Sequence, residues 1–369
     1  MRFFCKQEEF IKALNMAGKA IDSQSTLPVL SNILLNGENQ KLEIFATNLE
    51  ISIKVAIDVD LKNEGKITVP SRMLTSWVNF IKGGEIEVKT EENETITLKT
   101  AEAKTKIKGM SAEEFPTMPQ VDKICEFKTK VIDLKKSINE VVFSCAHSSV
   151  RPVLSGLLLH GKNKEIFLVA TDSYRLGEKK IILEEKLEKE LYSIIPARTM
   201  IELERILSTF KNKEEEVKVI ICDNQIEFLI DNIKITSRLI EGKFPEYDQI
   251  IPKSSQTDVL VKKDDFTLAL KRVGLFAKEN NNNIKFSFQD NQMSITTNET
   301  EIGSESTNLS IEMTGKENQI SLNGQFLLDV LSVISDEEVK IKITEKLSPA
   351  IILGKNQENF IHVIMPVKV

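Results

Sequence analysis

Few residues in this chain have the types and spacing that chemistry needs. Cys145-Ala146-His147 sets a thiol beside an imidazole, the two groups of a nucleophile–base pair. Neighbouring side chains at a helix end diverge, however, and no third group is placed to orient the imidazole. A buried cysteine next to a loop histidine accounts for them as well. Ala170-Thr171-Asp172 offers a carboxylate after a strand, but Ala46-Thr47-Asn48 repeats the pattern with an amide. A turn in which Asp or Asn bonds its own backbone serves both. Cys5, Cys125 and Cys222 stand far apart, and His160 and His362 enter no HxH, HExxH or CxxC spacing. Neither a metal site nor a disulfide framework is expected, which suits a reduced, cytoplasmic setting. GxGxxG, P-loop and GxSxG patterns are missing too. The expectation is a protein without catalytic residues, metal or cofactor, whose work is binding.

Composition narrows what it binds. A net charge of −6 excludes a protein that coats nucleic acid through bulk charge, though not one with a local basic surface. Aromatic residues make up 6% of the chain, too few for a platform that stacks single-stranded bases. The opening MRFFCKQEEF reaches acidic residues without a signal-peptide apolar stretch, and no apolar run approaches the length of a membrane span.

The elements that would position any site come in repeats. Residues 28–47, PVLSNILLNGENQKLEIFAT, and 152–171, PVLSGLLLHGKNKEIFLVAT, share ten identities in twenty at a constant offset of 124. Val69-Pro70-Ser71-Arg72 returns as Ile195-Pro196-Ala197-Arg198, and Glu114-Phe115-Pro116 as Lys243-Phe244-Pro245. A fainter third copy places Asn281–Thr297 on the same strand–turn–strand rhythm and Leu322-Asn323-Gly324-Gln325 where VPSR and IPAR stood. Three copies result, 1–122, 123–253 and 254–369, separated by the turn-rich FPTMPQVDK and IPKSSQTD.

Each copy reads as βαβββ twice over, an α+β arrangement with two helices on one face of antiparallel sheet. EEFIKALNMAGKAI, IDLKKSINEVVFSC and DDFTLALKRVGLFA have the amphipathic pattern of the first helix. SRMLTSWVNFIKG is the second helix of copy one, with Met73, Leu74, Trp77, Val78 and Ile81 on one face and Gly83-Gly84 as its stop. Gly37 and Asn291 mark hairpins.

Several segments together are similar to one family. They are LPVLSNILL, VRPVLSGLLL with VATDSYRL, EGKFPEYDQIIPK and the terminal VIMPVKV, set in three tandem copies. In combination they resemble the beta subunit of bacterial DNA polymerase III, the DNA sliding clamp. The resemblance covers the whole chain. It implies a head-to-tail homodimeric ring, helices inside and antiparallel sheets outside, that encircles double-stranded DNA without sequence preference. It also implies tethering of the polymerase III alpha subunit, capture of the clamp loader and other proteins with a clamp-binding motif, no chemistry of its own and no membrane partner. Packing geometry agrees. Six helices at about 9 Å spacing leave a hole about 7 Å wide, and twelve leave about 24 Å. The groove depths of duplex DNA alone sum to about 16 Å. A competing reading, a repeat-built protein scaffold that never encircles DNA, explains the repeats alone.

Three sets of site residues follow. Basic residues on the helices are the candidates to face DNA: Lys12, Lys19, Arg72 and Lys82 in copy one, Lys135, Lys136, Arg198 and Arg205 in copy two, and Lys271, Arg272 and Lys278 in copy three. Arg198, Glu202, Arg205 and Thr209 make a polar stripe opposite Ile201, Leu203, Ile206, Leu207 and Phe210, although a solvated face has the same pattern. The resemblance adds Gln24 and Ser148. For closure, Lys104, Lys106 and Lys108 alternate onto one strand face. Glu299, Glu301 and Glu305 share one parity in copy three, and Leu275 and Phe276 are expected to pack on Ile107. Opposite charge at the two ends of the chain suits a head-to-tail joint, while edge lysines also serve to block aggregation.

The third set is implied by the resemblance, a groove between copies two and three for a short, mostly apolar peptide. Its residues are Leu154, Thr171, Ser173, Tyr174, Arg175 and Leu176 from copy two, Pro245, Gln249 and Ile250 from the second boundary, and Pro349, Val363, Met365, Pro366, Val367 and Lys368 from copy three. Leu154, Leu176, Ile250, Val363 and Met365 would form the apolar surface, and Arg175 would hold a peptide carbonyl or carboxylate. Ser173-Tyr174 and Gln249 depart from the family pattern of Gly-His or Ser-His and Arg.

Overall fold

A computed structural model describes residues 1–22, 27–117, 122–147, 150–212, 214–299, 301 and 303–367. Gln24, Ser148 and Lys368 lie outside the described residues. The six helices are α1 (Gln7–Ala17), α2 (Ser71–Asn79), α3 (Val131–Val141), α4 (Ala197–Leu207), α5 (Lys263–Ala277) and α6 (Gly324–Val333). Each follows a strand and precedes three strands of an antiparallel meander, so βαβββ occurs twice per copy, with the short Asp60–Asn63 and Glu312–Gly315 added.

The sheets do not respect the repeat boundaries. An eight-stranded sheet takes four strands from copy one and four from copy two, joined where Ile51–Asp58 pairs antiparallel with Ile233–Arg238. A nine-stranded sheet joins copies two and three through Arg175–Ile182 and Phe360–Ile364. Copy one keeps a five-stranded sheet ending at the edge strand Lys104–Lys108, and copy three a four-stranded sheet ending at Ser306–Ser310. The chain accordingly forms two compact units, Met1–Ile132 with Glu202–Leu239, and Asp133–Ile201 with Ile240–Val369. In the first, α1 packs on α2 and on Ile51–Asp58; in the second, α5 packs on α6.

Local readings needed correction. α2 ends at Asn79, not at Gly83-Gly84, because the Phe80 and Ile81 amides turn back to carbonyls of the last turn. Lys82 therefore stands beyond the helix. Leu74 and Val78 are buried, whereas Met73 and Phe80 are exposed, so the buried face is narrower than the five-residue set. Ile201 of α4 is likewise exposed. Gly37 is not the hairpin turn. Asn39 and Gln40 take that role at φ 52° and 59°, and Gly37 sits in the strand, where a Cβ would come within 2.9 Å of Leu61.

Candidate functional site

Where copies two and three join, the sheet has two unlike faces, because side chains alternate along each strand. Leu176 lies opposite Val363, and Glu178 opposite Ile361. Leu176 and Val363 join Leu154, Leu158, Val169, Ile194, Phe244, Tyr247 and Ile351 in one buried apolar cluster. Around it, Tyr174 and Ile250 are exposed and Met365, Pro366 and Val367 half-buried. Thr171 is buried, Pro349 half-buried, and Ser173, Pro245 and Gln249 exposed. Pro245 and Gln249 line a recess of about 380 Å³ with Leu158, Tyr192 and Phe244. The terminal segment is tied by two backbone bonds, Met365 N–H to Tyr174 C=O at 2.8 Å and Val367 N–H to Ser321 C=O at 2.8 Å.

The turn before the joint is built as the repeat demanded. The Thr171 hydroxyl donates to Arg175 C=O, and Asp172 Oδ1 accepts from the amides of Tyr174 and Arg175, both at 2.9 Å. Thr47 and Asn48 make the same bonds to Ile51, Leu49 and Glu50. The left-handed backbone of Ser173 (φ 79°) matches that of Leu49 (φ 76°). Asp172 is thus a turn residue. Burial pushes the Cys145 thiol up to about 12, which leaves it protonated and a poor nucleophile.

Arg175 corrects an expectation. Its side chain points to the helix face of the sheet, away from the Leu176–Val363 row. The guanidinium pairs with Asp172 and with Asp329 of α6, donates to Phe143 C=O at 2.7 Å, and stacks 4.4 Å from the Phe326 ring centroid. Only 7% exposed, it braces copy two against copy three, with Nε, Nη1 and Nη2 each donating to a group on that face. On the same face Lys179 pairs with Glu140 at 2.7 Å, both buried, and Glu140 also accepts from Gln357. Burial lowers the Lys179 ammonium. His362 is wholly enclosed, and burial, with Arg175 nearby, holds its imidazole down at about 3. Gly177 lets the end of α3 approach, since a Cβ there would meet Val141 and Ser144.

Sequence reasoning missed Ile351, Tyr247, Glu178 and Asp329. Tyr247 sits in the quoted EGKFPEYDQIIPK, where its spacing from Phe244 was the available signal. The Tyr247 hydroxyl lies 2.8 Å from His160 Nε2. Burial raises both Tyr247 and Glu178.

The basic candidates differ in exposure and in the ion pairs they make. Lys12, Arg72, Lys271 and Lys278 are exposed on or beside their helices, and Lys135 and Arg198 are half-buried on theirs. Lys19 and Arg72 share a hollow of about 670 Å³ with Ser31, Ser71, Ser76 and the carboxylate of Asp22. Lys19 lies 3.9 Å from Glu202, and Arg205 is bonded to the same carboxylate. Lys136 lies 3.8 Å from Glu140. Arg272 pairs with Glu305 at 2.8 Å and donates to Thr307. One residue assigned to DNA and one assigned to closure thus neutralise each other.

The closure set also changes. Lys104, Lys106 and Lys108 are exposed on their edge strand, with Lys106 bonded to Glu91. Ile107 is buried in its own sheet, so it is unavailable to Leu275 and Phe276. Leu275 is exposed and Phe276 half-buried. Glu299 and Glu301 are exposed, but Glu299, Glu301 and Glu305 precede the strand that begins at Ser306, so strand parity does not relate them.

Three α+β copies, with sheets shared across both internal boundaries and a buried apolar cluster at the second, define a clamp-type repeat protein. Family models describe the parts in order: the N-terminal domain of the DNA polymerase III beta subunit matches residues 1–119, the central domain 128–246 and the C-terminal domain 248–368. The chain belongs to the DNA polymerase III beta subunit family. A beta sliding clamp of Staphylococcus epidermidis is 28% identical to it, over 100% of this chain and 99% of the relative. The DNA polymerase sliding clamp of Bacillus subtilis superposes with a TM-score of 0.95 at 26% identity, covering 100% and 99% of the two chains. A Pseudomonas aeruginosa sliding clamp bound to griselimycin gives 0.96 at 26% identity, with both chains covered in full. Among the described residues no group of His, Cys, Asp and Glu could hold a metal ion, and no helix is long and apolar enough to cross a membrane.

Proposed function

We propose that this protein is a DNA sliding clamp, a processivity factor that closes head-to-tail with a second copy around duplex DNA and holds a replicative polymerase there. It carries out no catalysis and acts in the cytoplasm. The supporting observation is the rule by which the sheets join. At both internal boundaries the last strand of a copy's first half pairs with the last strand of the next copy's second half. Applied once more, the rule pairs the edge strand Ser306–Ser310 of one molecule with Lys104–Lys108 of another, and merges the two leftover sheets. Glu299 and Glu301 beside one edge and the three lysines on the other favour that register. Leu275 and the exposed Met73 and Phe80 give the joint an apolar component in place of Ile107. The repeat copies 1–122, 123–253 and 254–369 then act as six equivalent segments of a two-chain ring.

Lys12, Arg72, Lys271 and Lys278, exposed on or beside their helices, face the DNA, and the Leu176–Val363 groove takes an apolar partner peptide. Retention on DNA circles tests the ring. The protein should stay with closed circular DNA through gel filtration and leave when the circle is cut. Retention that survives cutting would identify a groove binder, and no retention would identify a protein scaffold. For the groove, removal of residues 365–369 should abolish binding of a polymerase-derived peptide while the protein still folds and pairs. Undiminished affinity would rule the groove out.

A further inference from the structure

The boundary between copies one and two has a recess at the same address in the repeat. It measures about 340 Å³, near the lower end for ligand pockets. Leu34, Phe45 and Phe115 line it, with the Phe45 and Phe115 rings edge-to-face at 5.5 Å. Phe115-Pro116 occupies the place that Phe244-Pro245 holds at the second boundary, and Leu34 the place of Leu158. The rest of the lining is of the opposite character. Ser52 and Thr236 stand where Leu176 and Val363 stand, in the same cross-strand pairing. Lys54 replaces Glu178, Lys234 replaces Ile361 and Lys66 replaces Tyr192. Lys54 lies 3.3 Å from Glu43 and Lys234 2.6 Å from Glu227, and Lys66 makes no ion pair among the described residues.

We propose that this recess is a second docking site, for an acidic peptide segment of a partner protein that carries one aromatic or aliphatic anchor. The anchor enters between Leu34, Phe45 and Phe115, and the flanking carboxylates meet Lys66, Lys54 and Lys234. Charge complementarity selects the occupant. The recess has three ammonium groups against two carboxylates, Glu227 in the lining and Glu43 beside Lys54, which leaves Lys66 in excess. Glu178 at the equivalent point of the other groove repels the same peptide, so the two sites sort ligands by charge. That the ligand is a peptide rests on the reading of the Leu176–Val363 groove; the preference for acidic ligands does not.

Fluorescence anisotropy of labelled Ac-Asp-Leu-Phe-Asp-Glu on the full-length protein tests the proposal. Saturable binding should weaken about tenfold or more in Lys66→Glu/Lys234→Glu. It should weaken less in Lys66→Ala and fade with added salt. It should remain within about twofold when residues 365–369 are removed, because a site with separate walls is energetically independent. Hydrogen exchange across Ala112–Thr117 should slow when the peptide binds. Failure to bind, binding indifferent to both lysine variants, or binding lost with the terminal deletion would each overturn the proposal. So would displacement by a 20-base-pair duplex without protection of Ala112–Thr117, which would make the recess part of a phosphate-binding surface. Both lysines are on the surface, and a melting curve shows that the variants fold. The polymerase-peptide titration is separate, so failure of the other groove is distinguishable.

Discussion

The two internal joints share one backbone plan, yet the polarity of their sheet faces is exchanged. At the joint of copies one and two the helix face carries Ile51, Ile53, Val55, Ile233 and Ile235, and the groove face Ser52, Lys54, Lys234 and Thr236. At the joint of copies two and three the helix face carries Arg175, Gly177, Lys179, Phe360 and His362, and the groove face Leu176, Glu178, Ile361 and Val363. The first joint holds without apolar residues at the Ser52 and Thr236 addresses, so sheet continuity alone does not require Leu176 and Val363. They pack instead into the buried cluster with Leu154, Leu158 and Ile351, the surface proposed above to take a partner peptide. The second joint instead places ion pairs where the first has hydrocarbon: Lys179 and Glu140 answer to Val55 and Met16, and Arg175 to Ile51.

The buried pair offers the largest break. Lys179→Val leaves the enclosed Glu140 with only the more distant Lys136 at 3.8 Å and should cost about 3 kcal/mol in urea denaturation. Adding Glu140→Met copies the first joint outright and should recover most of that loss, since a buried ion pair replaced by well-packed hydrocarbon is often neutral or better. A double variant as unstable as the single would show that the pair has a role beyond its own charge balance.

Next comes the groove floor. Leu176→Ser imports the first joint's residue and should cost about 2–4 kcal/mol, the range for truncating a buried leucine. Binding of a polymerase-derived peptide should disappear in isothermal titration, while pairing of two chains by analytical ultracentrifugation should be unchanged. Peptide affinity within a factor of two would remove Leu176 from the site.

The contrast was only partly readable from the residues. The repeat at an offset of 124, with the fainter third copy, discloses three copies and the order of their elements, because helix and strand periodicity are local. That Ile51–Asp58 pairs with Ile233–Arg238 is not local; the partners are far apart in sequence, and each strand alone reads as an ordinary alternating segment. The same blindness hid the direction of Arg175. One step of strand register separates the groove face from the helix face, and it became fixed only once Leu176 was known to lie opposite Val363. Lys104, Lys106 and Lys108 were legible as exposed, yet the same alternation makes Thr105 and Ile107 face inward, which excludes Ile107 from the joint.

A third test uses pH. His362 is held at about 3 in the folded protein and titrates near 6.5 when unfolded. From about pH 6.5 down to 5 the unfolded chain binds a proton that the folded chain refuses, so stability falls with pH by about 2 kcal/mol. Glu178 acts in the opposite sense. Its carboxyl is raised by burial, so the folded chain takes up that proton more readily and gains stability as pH falls. The informative quantity is the difference between wild type and His362→Ile, which copies Ile235 of the first joint and should lose this part of the slope. Parallel stability curves for the two proteins would show that His362 does not resist protonation.

The smallest effect separates turn from charge. Asn48 and Asp172 hold equivalent turns through the same side-chain oxygen, but Asp172 also faces Arg175, whereas Asn48 donates to Asp22 at 3.0 Å. Asp172→Asn keeps the acceptor for the Tyr174 and Arg175 amides and removes one of the two carboxylates on Arg175. With Asp329 still in place, the loss should stay below about 1 kcal/mol, as for a partly exposed ion pair. Asn48→Asp should cost a similar amount in the first joint by setting a carboxylate against Asp22. Thermal melts of the two variants give both values. A loss of several kcal/mol in Asp172→Asn, with Asn48→Asp mild, would mean that Arg175 needs both carboxylates. The second joint would then depend on its ion pairs as strictly as the first depends on its isoleucines.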